Sequence, residues 1–379
     1  MQAGGCIGAV AGGECELDLR RRAMRLASLL LALAVVLGGW SFAGTMRLMP
    51  RAPLSVQFAE WARTHGLGFL VTEYELILDQ FNPPQTGGRP DMRLLAALGR
   101  TGTAAGARVA MPTPLLPALP GEGRFRVLRR LGGVPVLQEA LVRPDAESSS
   151  YLTSVIVMSG THTRVALHPG TMDPGRPRSF HASAHVSGRN STGLVGTFNS
   201  GFLVQDSQGG FYLNGRLAGR LHQGAASVVT YRDGHTTVGA WGRDLSMSPE
   251  VVSVRQNLRL IVNHGRPVTN MDAAVASRFG AAASASFRTW RSGLGVAANG
   301  DLIYAIGDAL TASSLADVLA RAGAVRALQL DINYHSTVYI WYSPGRHGQV
   351  SPHMILSPAH GLLTYLGDDS RDFFAVYTR

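Results

Sequence analysis

The sequence predicts an α+β fold with a largely antiparallel or mixed sheet and few helices, preceded by one N-terminal transmembrane or signal helix. Three observations indicate it. From residue 124 onward, short alternating or apolar runs recur between turn residues, with a single clear amphipathic helical pattern among them. The 45 glycines and 19 prolines favour many turns over a helical bundle. A long uncharged apolar run stands near the N-terminus.

The apolar run covers residues 26–44, nineteen residues without a charge, which is just long enough to cross a bilayer as a helix. Four arginines precede it closely: Arg20, Arg21, Arg22 and Arg25. By the positive-inside rule, the N-terminus is then cytoplasmic and the bulk of the protein lies outside. Two alternatives follow: a signal-anchor giving a single-pass protein of the cell membrane, or a signal peptide cleaved after Ala43 that gives a secreted one.

The composition of the chain changes twice, which predicts three parts. Residues 1–45 form a cytoplasmic tail and the signal segment, and residues 46–125 form a juxtamembrane region ending in a proline-rich linker. Residues 126–379 form the folded domain. Both cysteines, Cys6 and Cys15, precede the apolar run, so the exported part has neither disulfides nor a thiol nucleophile.

The secondary structure follows from periodicity and turn residues. Helices are expected over 55–63, 91–98 and 314–322, the last capped by Ser313. Glycine-containing turns at 132–133, 232–235 and 299–301 predict three hairpins. The expected strands cover residues 124–131, 134–142, 151–158, 193–198, 227–231, 236–241, 258–262, 293–297, 302–306 and 327–330.

All 35 basic residues are arginine, so mechanisms that need a lysine are excluded. The formal net charge is +10, but the arginines are scattered apart from the cluster before the apolar run, which argues against nucleic acid as a partner. None of the 12 histidines shows a convincing metal-ligand spacing; even His181 and His185 lie among serine and alanine. We therefore expect no metal and no cofactor.

Two glycine-containing motifs follow or begin predicted strands. The first is Asn199-Ser200-Gly201-Phe202, where small residues beside an asparagine permit backbone approach to a ligand, although an ordinary strand-to-turn corner has the same composition. The second is Arg291-Ser292-Gly293, where an arginine at the mouth of a strand can bind a phosphate with two hydrogen bonds; a solvated strand end is the alternative.

Two aspartates, Asp308 and Asp331, stand at or near the ends of apolar strands that flank the predicted helix. A strand fixes the position of such a side chain while the following loop opens outward. A pair of carboxyls could serve as acid and base for glycosidic cleavage, and turn or capping aspartates are the alternative. Asn333 and Ser336 follow Asp331 and are further candidates for substrate contact.

In this order and spacing, the motifs resemble those of the phosphodiester glycosidase family, most closely over residues 150–379. The counterparts are Asn199-Ser200-Gly201-Phe202, Arg291-Ser292-Gly293-Leu294, Asp308, Arg321-Ala322-Gly323-Ala324 and Leu330-Asp331-Ile332-Asn333. Two departures occur: Ser200 replaces a glycine, and Asp331-Ile332-Asn333 replaces Asp-Gly-Gly. Ile332 cannot adopt the backbone angles of glycine, so the turn after Asp331 must differ.

The resemblance implies an exported hydrolase that cleaves a sugar-1-phosphodiester glycosidic bond in envelope glycans of a bacterial cell. Asp331 and Asp308 would be catalytic, with Asn199, Gly201, Phe202, Arg291, Gly293, Asn333 and Ser336 binding the substrate. The partners would be a phosphorylated sugar or glycopolymer and, through the N-terminal helix, the membrane. The alternative is a non-catalytic membrane-anchored module that binds anionic envelope glycopolymers, suggested by the altered Asp331 motif and the arginine surplus.

Overall fold

The computed structural model describes residues 10–48, 54–65, 67, 71, 84–100, 106, 108, 110–186, 191–207, 209–269, 287–332, 334–345, 349–356 and 361–379. The chain divides into two compact units, Met1–Val71 and Thr72–Arg379. Met111 and Phe125, at the two ends of the predicted proline-rich linker, are buried in a core cluster of the second unit. This segment is therefore packed onto the folded domain.

Two helices are described in the first unit. Helix α1 (Val10–Leu48) has 39 residues, and helix α2 (Leu54–Thr64) has 11. Trp61 of α2 donates from Nε1 to Ser41 Oγ at 3.1 Å, and its ring lies 6.0 Å from that of Phe42. Within α1, the 24 residues Met24–Arg47 include an 18-residue window with a mean hydropathy of 2.1. A helix of this length and composition can cross a membrane, and a signal sequence has the same properties.

The second unit is built mainly of strands. In chain order the strands are β1 (Arg126–Leu131), β2 (Val134–Val142), β3 (Thr153–Met158), β4 (Thr163–His168), β5 (Leu194–Asn199), β6 (Phe211–Leu213), β7 (Arg216–Ala218), β8 (Ala226–Tyr231), β9 (Thr236–Ala240), β10 (Val251–Gln256), β11 (Leu260–Asn263), β12 (Arg266–Pro267), β13 (Thr289–Ala297), β14 (Leu302–Leu310), β15 (Ala324–Ile332), β16 (Tyr339–Pro344), β17 (Val350–Ile355) and β18 (Phe373–Thr378).

The described strands form three sheets in which neighbouring strands run antiparallel. The large sheet has the order β1-β2-β3-β14-β13-β15-β11-β12, the second sheet β7-β6-β10-β8-β9, and the third sheet β17-β16-β5-β18-β4. The centre of the large sheet, β14-β13-β15, carries both aspartates of interest. Asn199 ends β5, which lies at the centre of the third sheet.

The core lies on both faces of the large sheet. On one face, side chains such as Leu294 and Tyr304 share a buried cluster with Phe198 of the third sheet and Phe211 of the second. On the other face, a second cluster joins the large sheet to a helix. The strands are apolar on both sides because both sides are covered, and β3 is buried at all six positions.

Among the described residues, the second unit has three helical segments. Helix α3 (Met92–Arg100) buries Leu95 and Leu98 in a small cluster with β2, a 3₁₀ helix covers Pro177–Phe180, and helix α4 (Ala312–Arg321) packs on the large sheet. Helix α4 begins with a capping box. Thr311 Oγ1 accepts from Ser314 N at 3.0 Å, and Ser314 Oγ accepts from Thr311 N at 2.9 Å.

The structure confirms the predicted fold class and extends it. Each predicted strand from residue 124 to 330 overlaps an observed one, and the three predicted hairpins are present as β1–β2, β8–β9 and β13–β14. The predicted cap Ser313 was wrong, because Thr311 occupies the cap position. The sequence analysis also missed β4, β6, β7, β10, β12, β16, β17 and β18.

Replacing Thr311 by alanine should lower the free energy of unfolding by about 1 kcal/mol, because Ser314 N loses its acceptor at the start of α4. Denaturant unfolding of the full chain measures the loss. The matched control is Ser313→Ala, the position that the sequence favours for the cap. A larger loss for Ser313→Ala than for Thr311→Ala would contradict the assignment of Thr311 as the cap.

Candidate functional site

The side-chain amide of Asn199 lies at the centre of the candidate site, 4% exposed at the end of β5. Its Nδ2 donates to Ser292 Oγ at 2.9 Å. Its Oδ1 accepts from Tyr304 Oη at 2.7 Å and from Val338 N at 3.2 Å. Because both ends of the buried amide are hydrogen-bonded, its orientation is fixed, and it joins the third sheet to the large sheet.

Ser292 connects this amide to Asp331. The Oγ atom of Ser292 contacts the main chain of Asp331 twice, accepting from the nitrogen and donating to the oxygen, each at 3.3 Å. The Asp331 carboxylate accepts from Ile332 N at 2.8 Å through Oδ1 and pairs with Arg371 at 2.9 Å through Oδ2. A continuous set of contacts therefore runs from Asn199 to the carboxylate of Asp331.

Arg371 contacts the remaining groups of the site. It donates from one terminal nitrogen to Ser336 Oγ at 3.2 Å and from the other to Gly201 O at 2.9 Å, in addition to its ion pair with Asp331. Its side chain is 17% exposed, so part of the side chain reaches solvent. The structure thus brings Asn199, Gly201, Asp331 and Ser336 together.

Residues 199–204, which we call the motif loop, are held in place by the side chain of Asn257. Its Oδ1 accepts from Phe202 N at 3.3 Å, and its Nδ2 donates to the main chain of β15 at 2.7 Å. Ser200 is fully buried and is absent from the residues with positive φ, so a serine fits in place of the family glycine. Its Oγ has no hydrogen-bond partner.

Arg291 does not belong to this group of contacting residues. Its side chain is fully buried and donates from Nε to Leu310 O at 2.7 Å, and from its terminal nitrogens to Gln329 Oε1 and Phe287 O, each at 2.8 Å. Successive strand residues point to opposite faces, so Arg291 faces away when Ser292 faces Asn199. The structure therefore does not support the expected role of Arg291 as a phosphate contact.

Gly293 also has a packing role where a substrate contact was expected. A β-carbon at this position would lie 2.9 Å from Leu319 Cδ1 and 3.0 Å from Leu328 O. Glycine is therefore the residue that lets helix α4 approach the large sheet closely.

Asp308 lies on β14, on the other side of β13 from Asp331. Arg291 pairs with both Gly307 and Ile332, so the strand positions beside the two aspartates are aligned across β13. Because neighbouring strands lie about 4.8 Å apart, the two backbones are separated by about 10 Å. The Asp308 carboxylate accepts from Ala309 N at 2.6 Å, and Ala309 has the unusual φ of 53°.

The altered motif after Asp331 is accommodated by extending the strand. Ile332 is the last residue of β15 and pairs with Arg291, so a β-branched residue suits this position. Asn333, a predicted substrate contact, lies outside the described residues. Ile332 therefore lies in the strand, where glycine's backbone angles are not needed.

Aromatic side chains near the site fall into two groups. Tyr339 and Tyr342 are fully buried in the core, whereas Tyr334 is 36% exposed and its ring meets that of Trp290 at 5.9 Å. Trp290 precedes Arg291 on β13, and Tyr334 follows shortly after β15. Within the described part of the chain, no group of three or more histidine, cysteine or acidic side chains could hold a metal ion.

Sequence reasoning missed Arg371 and Tyr304. Arg371 stands about forty residues after Asp331, outside every recognised motif. Tyr304 reads as an ordinary strand residue, since nothing local shows that its hydroxyl meets Asn199. Arg255 could have been noticed through its neighbours Gln256 and Asn257, a polar run at the end of an apolar strand.

Residues 186–355, which contain Asn199, Ser292 and Asp331, match the phosphodiester glycosidase family. This part of the chain is therefore similar to a phosphodiester glycosidase domain. Arg371 lies beyond the matched residues. Among curated proteins, none matches the chain.

Three solved structures are similar at a low level. The catalytic domain of zebrafish N-acetylglucosamine-1-phosphodiester alpha-N-acetylglucosaminidase, auto-inhibited by its pro-peptide, is 15% identical, with a TM-score of 0.43, over 78% of this chain and 97% of that one. A protein from Synechocystis is 13% identical, with a TM-score of 0.37, over 65% and 63%. A protein from Burkholderia pseudomallei is 12% identical, with a TM-score of 0.34, over 60% and 74%.

Replacing Ser292 by alanine should lower the free energy of unfolding by about 1–3 kcal/mol, because Asn199 Nδ2 loses its acceptor in a buried place. Chemical denaturation of the full chain measures the change. As a matched control, Ser179→Ala removes an exposed hydroxyl that donates to Arg176 O and should cost at most about 0.5 kcal/mol. Equal effects of the two variants would show that the Asn199–Ser292 contact does not stabilise the fold.

Proposed function

We propose that the protein is an exported hydrolase that cleaves a sugar-1-phosphodiester glycosidic bond in envelope glycans. The observation that carries the proposal is the convergence of Asn199, Ser292 and Asp331 within the phosphodiester glycosidase domain. The apolar stretch Met24–Arg47 supports export, as a membrane anchor or a signal sequence. A phosphorylated sugar or glycopolymer is then the substrate, and the membrane is the second partner if the helix is retained.

In the proposed reaction, water displaces the phosphate from the anomeric carbon. The bond between this carbon and the phosphate oxygen breaks with its electron pair going to the oxygen, and the water proton passes to a carboxylate. Asp331 suits the role of base or nucleophile, because Arg371 and Ile332 N hold its carboxylate in place at 2.9 and 2.8 Å. Asp308, two strands away on β14, is the candidate for the second carboxyl.

The same proposal assigns the phosphate contact to Arg371 instead of Arg291. Arg371 has a side chain that is 17% exposed beside Asp331, whereas Arg291 is fully buried among protein oxygens. The motif loop with Asn199, Gly201 and Phe202 orients the sugar, and Ser336 and Asn333 remain candidates for substrate contact. The exposed edge of Tyr334 beside Trp290 offers an aromatic surface of the kind that packs on sugar faces.

Replacing Asp331 by asparagine should lower turnover of the accepted sugar-1-phosphodiester about 10²–10⁴-fold, since the amide can neither accept the proton nor attack. The full chain is purified in detergent and assayed against a panel of sugar-1-phosphodiesters. Asp317→Asn on helix α4, where the carboxylate pairs with Arg321 at the surface, is the control and should keep full turnover.

If wild type turns over no phosphodiester faster than Asp331→Asn does, the catalytic claim is rejected. The alternative function, a non-catalytic module for anionic envelope glycopolymers, is favoured specifically by Ile332 in place of the family glycine. That function predicts salt-sensitive polymer binding that survives Asp331→Asn and weakens in Arg371→Gln.

A further inference from the structure

The motif loop is held by side chains from outside the domain's recognised motifs. Arg371 donates to Gly201 O at 2.9 Å, and Arg255, at the end of β10, donates to Phe202 O. The next contact along the loop is made by Asp173, whose two carboxylate oxygens accept from Val204 N at 3.2 and 3.1 Å. Two arginines and one aspartate thus fix the main chain just after Asn199.

Arg255 is shared between two carboxylates. It donates from Nε to Asp372 at 2.6 Å and approaches Asp173 with a terminal nitrogen at 4.0 Å. The side chains of Arg255 and Asp372 are completely buried, and that of Asp173 is 13% exposed. One cation therefore balances two acids in a place with little solvent, and a second full negative charge there is unfavourable.

The backbone fixes this arrangement. The nitrogens of Met172 and Asp173 both donate to Ser370 O at 3.0 Å, directly before Arg371 and Asp372. Asp173 is thereby held beside the segment that supplies the arginine of the proposed active site. A change of charge on Asp173 is felt by Arg255 directly and by Arg371 through the electric field.

The charged groups around Asp173 are Asp372, Arg255 and Arg371. Burial, followed by the charge of Asp372, raises the pKa of Asp173 to about 7, against the lowering effects of Arg255, Arg371 and Val204 N. Asp173 thus changes charge near neutral pH, whereas in the unfolded chain it ionises near its ordinary pKa of 3.8. This contribution favours folding fully below pH 3.8 and is lost as the pH rises towards 7.

We propose that Asp173 is a positioning residue for the proposed hydrolase site. In its neutral form it leaves Arg255 paired with Asp372 and bound to Phe202 O; its ionisation draws Arg255 away and loosens the motif loop at Phe202, while Val204 N stays bound to the carboxylate. The inference rests on the proposed function for its catalytic consequence, but the loosening of the loop is a property of the chain alone. The loop carries Asn199 and Gly201, so its position decides how the substrate is oriented.

The test is hydrogen exchange of the full chain in detergent at pH 5.5 and pH 8.5, followed on peptides covering the motif loop. Rates are corrected for the intrinsic pH dependence with a peptide from β13 as reference. In wild type, corrected exchange of the loop should be about tenfold faster at pH 8.5, because Asp173 is then ionised. Asp173→Asn, which stays neutral, should show no such increase, and Asp173→Glu should restore it.

The surface variant Asp317→Asn is the control and should behave as wild type. Equal corrected exchange of the wild-type loop at both pH values overturns the proposal, even if Asp173→Asn does not fold. Where a phosphodiester is turned over, kcat/KM of wild type should fall about tenfold per pH unit above about pH 7, mainly through KM, and Asp173→Asn should lack this fall. If a phosphodiester is turned over but exchange of the loop does not depend on pH, the positioning role is refuted and the proposed hydrolase function stands. If exchange of the loop depends on pH but no phosphodiester is turned over, the hydrolase function is refuted and the effect of Asp173 on the loop stands.

Discussion

The need to satisfy one buried amide organises this domain. Asn199 sits between the third sheet and the large sheet, and its donor and acceptor atoms are each engaged by a side chain of the large sheet, Ser292 and Tyr304. Burying this amide without hydrogen-bond partners would cost the free energy of removing its polar atoms from water. The two sheets are therefore held in one relative position, which places the β15 end that carries Asp331 beside the motif loop.

The arginines show how one residue type serves different purposes according to burial. Arg291 is fully enclosed and binds protein oxygens around helix α4, whereas Arg255 is enclosed but shared by two carboxylates and a loop carbonyl. Arg371 alone of the three keeps contact with solvent, next to a carboxylate. A guanidinium presents five donors in a fixed plane, so it can organise several oxygens at once, and the lysine-free sequence relies on this property throughout the domain.

Two glycines of the motifs show that a motif alone does not identify the role of each of its residues. Gly293 follows an arginine as a substrate-binding glycine would, yet the structure shows that it makes room for Leu319 of helix α4. Gly201 contributes its carbonyl to Arg371 and lies against Asn257. The local sequence does not distinguish the roles of the two glycines, because the contacts that define these roles come from residues far along the chain.

Periodicity and turn chemistry determined a good deal without the structure: the α+β class, the strands with clear apolar runs, three hairpins and the N-terminal apolar helix. These depend on residues close in sequence, whose backbone preferences act locally. Strands β16 and β17 mix apolar and polar residues and were missed, because their burial depends on the sheet that they join, whereas β18 is an apolar run that the sequence analysis passed over. Only the tertiary structure placed Arg371, Tyr304 and Asp173 at the site and Arg291 away from it, since the face of a strand and the partner of a buried charge are set by packing between distant segments.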